Sequence, residues 1–269
     1  MNQRAMHQQA MNEHAMNQHA MNEQVMNEHV MTGHAMNDQH AALRAQVDQL
    51  INDCIARFQD IPGIHQQLHA DAINLPYYKR NLIEIILRLR MKRTIDALTI
   101  HYFTKRAPRL AKRWSEYTAD EMLHDELFAA DLAQVGVTRD AIYSTTPMLA
   151  TKLLQGYFYY GLEHEGIPLA SLCSSYLIEY ASLKTQPALI DNVERLLGAQ
   201  CVKGQRAHLA HDDHDNHTDF VWDVLVQTAC LPHDAARILD HVRHVYQLFE
   251  MYYRELYAAT LPESTQTMP

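Results

Sequence analysis

The sequence predicts an all-α protein folded as an up-and-down helical bundle. Three observations carry this: helix formers dominate, with only 8 Gly and 9 Pro in 269 residues; Leu, Ala, Ile and Tyr recur at helical spacing; and no period-two run ends in a hairpin turn. With 47% hydrophobic and 20% charged residues, the chain can bury a sizeable core.

Residues 1–40 repeat Met-Asn-x-His/Gln-Ala/Val, with Met at 1, 6, 11, 16, 21, 26, 31 and 36. Five residues advance a helix by about 140° net, so the methionines spiral instead of forming a stripe. On a strand they alternate faces. Neither arrangement buries them, and a disordered or weakly helical low-complexity tail is expected, whose six histidines could bind metal only loosely.

The folded domain is expected over 41–260, followed by a loose tail over 261–269. Its first helix, Ala42 to Phe58, places Leu43, Val47, Leu50, Cys54 and Phe58 at three- and four-residue steps and stops at Ile61-Pro62-Gly63. A short helix to about Ala72 follows, then a long one from Tyr77 to Lys105, broken before Pro108. Thr118 to Val135 reads as an acidic helix with Thr118 as N-cap and Glu121 at the third helical position.

Pro147 to His164 is apolar all round and is expected to be central and buried. Helices Leu169 to Leu183 and Pro187 to Leu197, joined by a turn at Lys184 to Gln186, come next. A His/Asp-rich helix from Gly204 to Cys230 and an amphipathic one from Asp234 to Tyr257 complete the bundle.

A net charge of -9 argues against nucleic acid as the main partner. Cys54, Cys173, Cys201 and Cys230 form no CxxC pair, so neither a disulfide framework nor a thiolate zinc site is indicated. The sequence shows no signal-peptide pattern and no apolar stretch of about 18 residues, and a cytoplasmic location without a membrane partner is expected.

Potential metal ligands concentrate from His208 to Asp219, which holds four His and four Asp. On one continuous helix, His208, His211, Asp212 and Asp215 share a face, whereas Asp213, His214 and His217 point away and are expected at the surface. Imidazoles and carboxylates together suit iron, manganese or zinc. Glu121 and His124, three apart in DEMLHDELF, can chelate one metal. Glu163 lies at the end of the apolar helix, where an ionised carboxylate is costly unless paired or metal-bound; Glu165 is the competing choice.

These residues resemble the haem-oxygenase-like di-iron oxidases, which share their helical fold with thiaminase-type and chlamydial death-domain-associated proteins. Glu121, His124, Glu126-Leu127-Phe128 and Gly136-Val137 fit one motif of that family, Glu163 in GLEHEGIP fits its bridging carboxylate, and His208-x3-Asp212 fits its late helix. The third late-helix position is Asp215 where the family has His, leaving Asp215, His211 or His214 to complete the second site. Glu84 or Asp96 could supply a further carboxylate.

The resemblance implies a haem-oxygenase-like bundle with two Fe(II) that uses O2 to oxidise a small amine, amino-acid-like or fatty-acid substrate, drawing on an unidentified electron donor. Homodimerisation is left open. Tyr157, Tyr159 and Tyr160, ahead of Glu163, are candidates for lining a substrate pocket, with Gly156 leaving room for it. Two other readings compete: a metal-free thiaminase-type hydrolase or cofactorless oxidase using Cys173 as nucleophile, and a non-catalytic metal-binding helical protein.

Overall fold

A computed structural model describes residues 36–211, 214 and 216–261 in full and the backbone of 212 and 213. The chain divides into two compact units, Met1–Ala45 and Gln46–Pro269. In the first, residues 36–45 are helical; the rest of the Met-Asn repeat lies outside the described residues. The described residues of the second unit form helices joined by short connections, with no strand among them.

Its elements are α1 (residues 46–58), α2 (Pro62–His69), α3 (Leu75–Arg106), α4 (Pro108–Glu121), α5 (His124–Gln134), α6 (Arg139–Ser144), α7 (Leu149–Tyr160), α8 (Leu169–Leu197), α9 (Lys203–His214), α10 (His217–Thr228) and α11 (Ala235–Ala259). A π-turn, Gly161–Glu165, continues α7. No described helix is long and apolar enough to cross a membrane.

Asn74 starts α3 by accepting a hydrogen bond from Tyr77 N at 3.1 Å, and Pro76 fits the first turn because a nitrogen there needs no intrahelical partner. Pro108 ends it and opens α4. Glu84, fully buried on α3, accepts from Arg80 Nη2 at 2.6 Å, Thr151 Oγ1 at 2.6 Å and Met148 N at 3.1 Å. It therefore fastens α3 to α7. Tyr78, Leu82 and Ile86 of α3 pack with Phe128 and Leu132 of α5 and with Ile190 and Val193 of α8 in one apolar cluster.

Four elements depart from the sequence expectation. The acidic helix is two helices broken at Met122 and Leu123, and Thr118 is interior to α4: its hydroxyl donates to Trp114 O at 2.7 Å, a bond back along its own helix instead of a cap. The helix ahead of Glu163 is not buried all round, since Leu149, Leu153, Tyr159 and Tyr160 are exposed. α8 runs unbroken through Pro187, its first half being buried almost residue by residue. The His/Asp helix is interrupted at Asn216, which adopts left-handed backbone geometry (φ 52°) and resets the helical phase.

Candidate metal centre

Among the described residues, two groups of side chains place ligand atoms within 4.8 Å of one another: Glu121, His124 and His208, and Glu121, Glu179 and His217. Glu121 belongs to both. Its Oε2 faces His124 Nδ1 at 3.1 Å and its Oε1 faces His217 Nδ1 at 3.4 Å, so each carboxylate oxygen serves a different group. His217 Nδ1 also lies 3.9 Å from Glu179 Oε2. The His211 ring stands between the groups, 5.3 Å from the ring of His124 and 5.5 Å from that of His217.

Five helices supply these residues, and local structure explains how each arrives. The break between α4 and α5 leaves Met122 and Leu123 exposed and turns Glu121 and His124, last and first residues of their helices, toward the interior. Arg93 of α3 pairs with buried Asp125 and holds the start of α5. Farther along α5, Asp131 accepts from Gly204 N at 2.7 Å and Gln205 N at 2.9 Å, capping the first turn of α9 and fixing where His208 falls. α5 stops cleanly because Gly136 takes φ 79°, with Val137 N bonded to Leu132 O and Gly136 N to Ala133 O at 3.1 Å each.

Charged and polar neighbours tune the ligands. Burial pushes the Glu121 carboxyl up, but the His124 hydrogen bond and the positive potential of His124, Lys92 and His208 outweigh it and hold the carboxyl below its ordinary value. Tyr117 Oη donates to Glu179 Oε1 at 2.6 Å; burial and the nearby carboxylates raise the phenol well above its usual value and keep it a donor. Lys92 Nζ, 2.7 Å from Asp96 Oδ2, lies 5.0 Å from the Tyr117 ring centroid, and Asp96, Glu121 and Glu179 together keep its ammonium charged despite burial.

The residue set suits a hard or borderline cation. It offers carboxylates and imidazoles without a thiolate, and the buried Glu121 Oε1 accepts no hydrogen bond among the described residues. Beside it lies a cavity of about 270 Å³, walled by apolar side chains such as Leu89, Phe128, Leu154 and Phe158, which His208, Lys92 and Asp96 also line.

Of the residues expected from sequence, Glu121, His124 and His208 come together, with His211 alongside. The side chain of Asp212 and all of Asp215 lie outside the described residues. Glu163 is exposed on the π-turn and belongs to neither group. Its competitor Glu165 pairs with Arg237 and with His241, both at 3.2 Å. Glu84 is fully engaged in joining α3 to α7, and Asp96 pairs with Lys92, so neither belongs to a ligand group. Exposed His214 is likewise outside both.

Tyr157 and Tyr160 do not line the cavity. Tyr157 bonds His241 Nδ1 at 2.7 Å and His244 Nδ1 at 3.0 Å, while Tyr160 is exposed against His164. Gly156 is exposed too. Cys173 is fully buried, 3.8 Å from Ile238 O, and burial raises its thiol far above the usual range, which disfavours a nucleophilic thiolate.

Sequence reasoning missed Glu179 and His217. Glu179 is 6% exposed and lies one and two turns beyond Tyr176 and Leu172, both fully buried, so a lone carboxylate on the buried stripe of α8 was its signal. His217, expected at the surface, is 4% exposed because the turn at Asn216 restarts the helix in a new phase.

The fold is haem-oxygenase-like. A domain of unknown function with a heme oxygenase-like fold from Shewanella denitrificans OS217 is similar over 81% of this chain and 92% of that one, with a TM-score of 0.69 and 18% identity. A TenA homolog from Pseudomonas syringae pv. tomato str. DC3000 is similar over 81% and 93%, with a TM-score of 0.64 and 15% identity. A CADD-like protein of unknown function from Nostoc punctiforme PCC 73102 is similar over 86% and 99%, with a TM-score of 0.64 and 17% identity. No curated protein matches the sequence. The sequence pattern of the iron-containing redox enzymes matches residues 91–250, a span that holds every residue of both ligand groups, and the chain belongs to that family.

Proposed function

We propose that the chain is a non-haem oxidoreductase that holds two Fe(II) and uses O2 to oxidise a small organic substrate. One observation carries this: the two oxygens of Glu121 face imidazoles of different groups, which suits a carboxylate bridging two cations. Bound as a pair, the metals would supply two electrons and open positions for O2.

The protein's own groups do the rest. His124 and His208 complete the first position, and Glu179 and His217 the second. Tyr117 orients Glu179 through its hydroxyl, and the Lys92–Asp96 pair sets a fixed positive charge beside the carboxylates. The apolar cavity against His208 keeps bulk water from the centre and receives the substrate, for which amines, amino acids and fatty acids are the classes considered. Electrons for repeated turnover come from an external donor.

The test is anaerobic loading of the full chain with Fe(II), followed by iron quantification and mixing with O2. About two irons per chain and O2 consumption that depends on them are expected. Binding of about one iron, or iron that never reacts with O2, overturns the reading.

A further inference from the structure

The apolar segment ahead of Glu163 turns one whole face to solvent. Leu149, Leu153, Tyr159 and Tyr160 stand out from α7, exposed by between 39% and 55%. Four of the ten large apolar side chains exposed among the described residues thus fall on one helix of 12 residues, which is clustering and not the ordinary scatter of surface hydrophobics. The neighbouring helix continues the surface. α11 is tied to α7 by Glu255, which accepts from Leu149 N at 3.0 Å and Ala150 N at 2.9 Å, and by His244 at the Tyr157 hydroxyl. Met251, 38% exposed, lies on the same face of α11 as both ties.

Gly156 sits at the middle of this face. A Cβ there would meet nothing within 4 Å and its φ is not in the left-handed region, so neither backbone conformation nor packing within the chain calls for glycine. A glycine inside a helix is unfavourable relative to alanine, and what it offers is room for another backbone. Lys152 and Glu163 flank the face toward opposite ends, both exposed and neither with an ion-pair partner among the described residues. The helical rise between them holds them roughly 16 Å apart, too far to pair within one chain.

The pattern is complementary to itself. A two-fold axis passing across α7 at Gly156 reverses the direction of the helix and keeps its two sides. Leu153 and Tyr160 share one side of the face, so Leu153 meets the partner's Tyr160 in both directions. Lys152, on the other side, comes over the partner's Tyr159, with the partner's Glu163 one turn beyond. The missing side chain at Gly156 lets the two helices cross closely enough for these contacts. We propose that this face joins two copies of the chain, their α7 helices crossing antiparallel at Gly156. An unrelated partner would not call for opposite charges and matched spacing on either side of one glycine. The proposal goes beyond the oxidoreductase reading and does not depend on it.

The test is sedimentation velocity of the full chain without added metal. The wild-type chain is expected to sediment as a dimer at about 10 µM. Leu153→Asp, which acts twice in a symmetric contact, is expected to weaken association at least about a hundredfold. Tyr143→Asp, at an apolar residue exposed on α6, should leave it unchanged. Lys152→Glu and Glu163→Lys are each expected to weaken association about tenfold, and the chain carrying both to recover most of that loss. Circular dichroism of every variant should match the wild type, since all four positions are exposed. A wild-type chain that stays monomeric at about 100 µM overturns the proposal and leaves the face to another occupant, the Met-Asn repeat or a different protein. A dimer that survives Leu153→Asp also overturns it, as do charge variants whose losses add instead of cancelling.

Discussion

A Cβ added to Gly204 would lie 2.0 Å from the backbone oxygen of Leu127, so the first turn of α9 rests directly on α5. That approach puts Gly204 N and Gln205 N within reach of Asp131 and brings the His208 and His124 rings to a centroid separation of 4.5 Å. The obstacle is backbone and not the end of a flexible side chain, so the two helices must separate to admit even a methyl group. Gly204→Ala is expected to cost about 1–3 kcal/mol through overpacking, against which the gain in helix propensity of about 1 kcal/mol is the smaller effect. Thermal unfolding should show a lowered Tm, and iron analysis a loss centred on the group that contains His208. Unchanged stability and iron content would mean that this contact does not set the position of α9.

Because the two proposed metal positions share only Glu121, they are separable by mutation of their other ligands. Glu179→Gln is expected to empty the position shared with His217 and leave the other, lowering iron from about two to about one per chain. His208→Ala should do the same from the opposite side, whereas Glu121→Ala removes the common ligand and should lower both. Glu163→Ala is the control: its carboxylate is exposed and in neither group, so iron content should not change. A Glu121→Ala chain that kept about two irons would remove the bridging assignment.

The helical architecture and three residues of the candidate ligand groups, Glu121, His124 and His208, are legible in the sequence because their signals are local. Glu121 and His124 are three residues apart and His208 opens a dense ligand run, so local spacing together with the family resemblance points to them. Glu179 carries no such neighbour; only burial of the surrounding α8 residues marks it, and burial depends on packing. A helix drawn straight through Asn216 points His217 outward, whereas the left-handed backbone there restarts the helix in a different phase and turns it inward. Glu163 follows an apolar run that predicts a buried helix end, but that helix exposes Leu153, Tyr159 and Tyr160 and ends in a π-turn at the surface. The cavity, whose walls come from five or more helices, had no signature along the chain.

Half-buried Lys92 and buried Asp96 form an ion pair one turn apart on α3, next to the carboxylates of the candidate groups. Removing one partner strands the other charge, which is expected to cost about 3–5 kcal/mol, whereas replacing both by apolar groups of similar size is far less harmful. Lys92→Met should therefore be markedly less stable in denaturant unfolding than Lys92→Met combined with Asp96→Leu. If the double variant were as unstable as the single variants summed, the two residues would not be acting as a pair.

His241 on α11 offers the clearest pH dependence away from the metal centre. It is 4% exposed and faces Glu165 at 3.2 Å and the Tyr157 hydroxyl at 2.7 Å, with Arg237, Asp240 and His244 nearby. Burial lowers its basicity, Glu165 opposes this, and Arg237 and His244 reinforce it, so the folded-state value lies below the ordinary 6.5. The unfolded chain then binds a proton that the folded chain resists, and stability rises with pH across this window. The contribution is fully present above about pH 6.5 and is lost as the pH falls through that value toward the folded-state one. Unfolding of the wild-type chain should show a falling Tm between about pH 7.5 and 5.5, and His241→Gln, which has no proton to gain there, should flatten that slope. An identical slope in the variant would assign the acid sensitivity to other groups and leave the Tyr157–His241–Glu165 contact without a role in it.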